Sequence, residues 1–164
     1  MIGLNLCPFA KAVHVKQQIR YVVSEAVTAD ALLDELEREL TLLNASDPQA
    51  IDTTLLLVPQ LFAEFLDFFF FLPEAEAALR RMQLEGVIQI ASFHPRFEFA
   101  GADSDDISNY TNRAPYPTLH LLREASLDRA VAAFPDAADI YGRNIETLEK
   151  LGHEGWARLW SKPD

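Results

Sequence analysis

The chain has one cysteine, Cys7, among its 164 residues. An intrachain disulfide is therefore excluded, and nothing argues for an oxidising compartment. Glycine is sparse, at six residues, and none are clustered, so there is no glycine-rich phosphate loop. Basic residues are few: 14 Lys and Arg against 25 Asp and Glu give a formal charge of -11. That balance repels nucleic acid and anionic lipid, so neither is expected as a partner. A small anionic ligand can still bind at a local basic pocket. The longest apolar run follows Asp67 and is only "FFFFL", far short of the roughly 20 residues that cross a bilayer. The opening "MIGLNLCPFAKAV" has no basic region before its apolar stretch, which Asn5 and Lys11 interrupt, so it reads poorly as a signal peptide. A cytoplasmic location is the expectation. CxxC, HExxH and HxH elements are all missing, and no metal or cofactor is expected. Cys7, His94 and His120 are suitable zinc donors by type, but their spacing gives such a site no support.

What is present reads as an α/β chain. One domain over 1–164 is expected from its length. Residues 8–18 read as a helix that Pro8 starts, with Cys7 at its N-cap. "IRYVVSEA" (19–26) is rich in β-branched and aromatic residues and reads as a strand. Thr28 caps a helix whose Leu32, Leu33, Leu36, Leu40 and Leu43 fall at helical spacing. "DTTLLLVP" (52–59) is a second, central strand. In the phenylalanine-rich segment, Phe62, Phe65, Leu66 and Phe69 predict one helical face. Pro73 divides the segment into two helices, and Gly86 stops the second. Strands follow at 86–95 and 118–125, joined by a long polar loop over 100–116. Ser126 caps the next helix, and Asp136 opens the last. Helical crossovers make the first three strands parallel, and the direct connection makes the last pair antiparallel. The expectation is a four-stranded mixed sheet with packed helices, an α+β arrangement being allowed. A ferredoxin-like two-layer sandwich is the alternative.

Chemistry concentrates at three places. A cysteine at a helix N-cap feels the positive end of the helix dipole, which favours thiolate; the plainer reading is a packed, inert thiol. In "SFHPRFEFAG" strand alternation predicts Phe93, Phe97 and Phe99 on one face and His94, Arg96 and Glu98 on the other. His120 lies on the paired strand, near His94 if the register allows. Between these strands, "NYTNRAPYP" carries Asn109, Asn112 and Arg113, and Pro115 and Pro117 stiffen it. An arginine fork suits carboxylate or phosphate. Asp103, Asp105 and Asp106 are a solvated charge run that has the donors for a hard cation.

"GLNLCPFAK", "SFHPRFEFAG" and "NYTNRAPYPTLHLLRE" together resemble an uncharacterised bacterial family, domain of unknown function fourteen-fifteen. The resemblance extends over nearly the whole chain. It implies that the three segments belong together and brings no activity with it.

Three readings stay open. One is a hydrolase or transferase acting on an anionic metabolite. There Cys7 is the nucleophile and His94 or His120 the base, while Arg96, Asn109, Asn112 and Arg113 hold the substrate. The second is a non-catalytic anion-binding or regulatory module. The third is a structural oligomer whose polar cluster locks the 100–116 loop, with a homodimer contact through Phe68–Phe71.

Overall fold

Four segments rich in β-branched and leucine residues pair into one sheet, and helices fill the connections. A computed structural model of the chain describes residues 2–7, 9–133 and 139–160. The elements are α1 (Ala10–Val15), β1 (Ile19–Val23), α2 (Ala29–Ala45), β2 (Thr53–Leu57), α3 (Phe65–Arg81) and β3 (Ile88–Phe93). A short 3-10 helix (Ile107–Asn112), β4 (Thr118–Arg123), α4 (Glu124–Ala132) and α5 (Ile140–Arg158) follow.

The strand order is β1-β2-β4-β3. β1 and β2 are parallel, and β4 runs antiparallel to both β2 and β3. The sheet is therefore mixed, with the last strand inserted between the second and third. This β-α-β-α-β-β order, with a parallel first pair, is not the β-α-β-β-α-β plan of a ferredoxin-like sandwich.

One face of the sheet carries the main core. Leu56, Val58, Ile88, Leu119 and Leu121 meet the leucine stripe of α2 and Phe68, Phe71, Ala75, Ala78 and Leu79 of α3. Thr28 caps α2 as its sequence position predicts, accepting from the Ala31 amide at 3.2 Å. Arg123 holds the other end of α2. Its Nη2 donates to the carbonyls of Leu43 at 2.5 Å and Ser46 at 2.7 Å, at the negative end of the helix dipole. Glu39 of α2 is buried and forms a two-pronged pair with Arg20 of β1, at 2.7 and 3.0 Å.

The structure corrects several sequence expectations. α3 is one helix with Pro73 inside it. The buried stripe Phe68, Phe71, Ala75, Ala78, Leu79 stays in phase across the proline, so packing on both sides outweighs one lost backbone bond. Phe62 precedes the helix with a positive φ of 59°, while Leu66 and Phe69 face outward. The expected apolar face thus sits a fraction of a turn away, on Phe68 and Phe71. The helix ends at Arg81, with Gln83 rather than Gly86 making the first left-handed turn after it. Ser126 lies inside α4 instead of capping it, and its hydroxyl donates to Asp52 at 2.6 Å. Pro8 and Asp136 lie outside the described residues.

Candidate functional site

His94 follows the last residue of β3, where Pro95 ends the strand and the chain turns. The turn closes through the Phe97 amide, which donates to the His94 carbonyl at 3.1 Å. The imidazole is fully buried between Phe65 and Phe68 of α3, with ring centroids 5.4 and 5.6 Å away. Its Nε2 lies 2.8 Å from the Phe62 carbonyl, which only accepts, so Nε2 carries the proton. Its Nδ1 accepts from the Arg96 amide at 3.0 Å. This pairing describes a neutral ring with both nitrogens engaged. Burial pushes its pKa below the ordinary histidine value, and the nearby Arg96 charge acts in the same direction.

Arg96 turns back to the same segment. Its Nη2 donates to the Ala63 carbonyl at 2.6 Å and pairs with Glu64 at 2.5 Å. His94 and Arg96 together tie the approach to α3 onto the end of β3.

The loop after β3 is held from within. Asn109 is fully buried; its Oδ1 accepts from the Phe99 amide and its Nδ2 donates to the Asp103 carbonyl, both at 2.9 Å. Asn112 donates from Nδ2 to the Ser92 carbonyl at 3.2 Å, while its own carbonyl accepts from the His94 amide at 3.1 Å. Arg113 donates to the carbonyls of Phe97 at 3.3 Å and Ser104 at 2.6 Å, and its guanidinium carbon lies 4.2 Å from the centre of the Tyr110 ring. Tyr110 then meets α5, with its hydroxyl 3.0 Å from His153 and its ring 5.2 Å from that of Trp156. Asn109 and Arg113 thus point into their own loop, while Asn112 ties that loop to Ser92 of β3.

The alternation expected through "SFHPRFEFAG" breaks where β3 ends. Phe93 contacts His120 at 6.1 Å, whereas Phe97 packs on Phe65 at 5.1 Å, beside His94. Pro95 and the turn rotate the downstream aromatics to the α3 side.

His120 sits elsewhere. It pairs across β3 with Ala91 and across β2 with Leu55, on the sheet face opposite Leu119 and Leu121. The two histidines therefore lie on opposite faces, since His94 packs against α3. Thr53, missed in the sequence reading, is His120's partner. The Thr53 hydroxyl donates to the Leu121 carbonyl at 2.6 Å, so the 2.8 Å contact must be Nε2–H donating to Thr53. The available signal was the strand parity of "DTTLLL", which separates Thr53 from Thr54. Burial pushes the His120 pKa down to about 4. Among the described residues its Nδ1 has no partner.

Cys7 is half-buried and unpaired. It is not the N-cap of α1: Phe9 occupies that place, and the helix is only six residues long. Among the described residues no hydrogen bond joins its thiol to His94 or His120. Asp106, from the acidic run, caps the 3-10 helix by accepting from the Ser108 amide at 2.8 Å. That bond holds its carboxyl below the usual range. Among the described residues no group of three or more His, Cys, Asp or Glu side chains is arranged to hold a metal. No described helix is long and apolar enough to cross a membrane.

Residues 1–158 match the family model described as a protein of unknown function, DUF1415, and the chain belongs to that family. No curated protein and no solved structure matches it.

Proposed function

We propose that this DUF1415 protein is a non-catalytic structural module whose polar cluster is an internal lock and whose outer surface serves self-association. The observation that carries this reading is where the polar groups are spent. His94, Arg96, Asn109, Asn112 and Arg113 direct these bonds to carbonyls, amides and a carboxylate of the chain itself. A substrate cradle would leave several of these donors aimed at open space. Self-association would use the outward half of the phenylalanine run. Phe68 and Phe71 belong to the core, while Leu66, Phe69 and Phe70 are 62%, 52% and 71% exposed at i, i+3 and i+4 on α3. An outward stripe of this kind favours burial against a second copy.

Light scattering tests the association: the wild type should read above monomer mass, and a Phe69→Glu/Phe70→Glu variant should read lower. A thermal-shift panel of small carboxylates and phosphates should leave the melting temperature unchanged. A saturable rise of several degrees with one anion would replace this reading with a binding module.

A second reading rests on the unpartnered Nδ1 of His120. In it, Cys7 is a nucleophile and His120 a base toward an anionic metabolite. Alkylation separates the two. Reaction of Cys7 with iodoacetamide faster than free cysteine, and lost on His120→Gln, would favour the enzyme.

A further inference from the structure

The edge of the sheet at β1 has an unusual set of unspent groups. In the parallel pairing with β2, Ser24 donates to the Leu57 carbonyl and the Gln18 carbonyl accepts from Thr53. The even-numbered residues of β1 therefore bond inward. The backbone N–H and C=O of Ile19, Tyr21 and Val23 point away from the sheet, and among the described residues they have no partner. Their side chains share the face opposite α2, and Tyr21 and Val23 are 59% and 66% exposed. Natural edge strands are usually protected by lysine, proline, a bulge or a covering element. The β3 edge ends in Pro95; β1 carries no lysine or proline.

We propose that β1 pairs antiparallel with β1 of a second copy, joining two four-stranded sheets into one continuous sheet across a two-fold axis. The edge is self-complementary about Tyr21. With Tyr21 opposite Tyr21 of the second copy, Ile19 lies opposite Val23, and every outward donor meets an outward acceptor. The same register stacks apolar side chains in cross-strand pairs on one face.

Charge agrees with this register. The C-terminal end of β1 opens on a cavity of about 250 Å³ lined by Val22, Val23, Glu25, Glu35, Arg38 and Glu39. One Glu35 carboxylate oxygen there is buried and, among the described residues, has no hydrogen-bond partner. Antiparallel pairing brings the N-terminal approach of the second β1, which carries Lys16, beside Glu25 and this acidic wall. The two-fold axis repeats the contact at the other end. A long cationic side chain from the second copy supplies the donor that Glu35 lacks.

The β1 pairing does not require the α3 stripe, and one experiment on the full chain distinguishes the two contacts. Light scattering is combined with hydrogen exchange over a range of protein concentrations. Exchange at Ile19, Tyr21 and Val23 should slow on the order of tenfold or more as dimer forms, while the inward amides of Arg20 and Val22 stay slow throughout. Tyr21→Lys and Val23→Pro should each abolish this association with the fold retained. An edge strand tolerates a proline whose missing N–H faced solvent, and the lysine variant needs no backbone change. These effects should persist in the Phe69→Glu/Phe70→Glu background. Fast exchange at the three outward amides at all concentrations would overturn the inference. So would a dimer that survives both β1 substitutions in the Phe69→Glu/Phe70→Glu background.

Discussion

At the scale of single residues, the two buried histidines answer differently to change. His94 is fixed by two backbone partners, and His120 by one threonine whose own proton goes elsewhere. Both are held neutral by burial. The unfolded chain therefore binds protons below about pH 6.5 that the folded chain refuses, so folding stability rises with pH there. The His120 contribution is complete above about 6.5 and declines as pH falls toward its folded value of about 4. Its full loss is worth roughly 3 kcal/mol. Chemical denaturation at stepped pH should show this acid limb, and His120→Gln should flatten it. Asn109→Ala takes away the partner of the Phe99 amide and of the Asp103 carbonyl and empties a buried side-chain site. It should cost about 2–4 kcal/mol and open residues 100–112 to limited proteolysis.

At the scale of elements, the strands and α2 were legible because their periods were clean. Val22, Leu56, Leu119 and Leu121 alternate as strands require, and Leu32, Leu36, Leu40 and Leu43 repeat as a helix does. The candidate site was legible in composition only. Sequence alternation identified "SFHPRFEFAG" as polar and aromatic, but not the turn at Pro95 that sends Phe97 to the α3 side. Nor does a single strand reveal register: His120 faces Ala91, which puts it across the sheet from His94. The carbonyls of Phe62 and Ala63, which receive His94 and Arg96, carry no side-chain signature at all. Pro73 misled for a different reason. A proline is a local cost, and the in-phase core stripe that offsets it becomes apparent only when α3 meets α2 and the sheet. Pro73→Ala restores an amide that can bond the Phe69 carbonyl, on an exposed side of the helix. It should stabilise the fold by about 1–3 kcal/mol, measured by thermal or denaturant unfolding.

At the scale of the whole molecule, the net charge of -11 opposes any self-association of this chain. Association through apolar α3 and β1 surfaces should therefore strengthen as salt rises from low ionic strength, a trend that sedimentation equilibrium can read. The polar cluster, in the function proposed above, serves the fold rather than a substrate. Nitrogen NMR of the His94 imidazole tests it most directly, as pH is lowered and as small carboxylates and phosphates are added. The expected result is one neutral ring protonated at Nε2, untitrated through pH 6.5 and unmoved by any anion. A His94 that titrates near pH 6.5, and shifts saturably when an anion binds, would contradict the account.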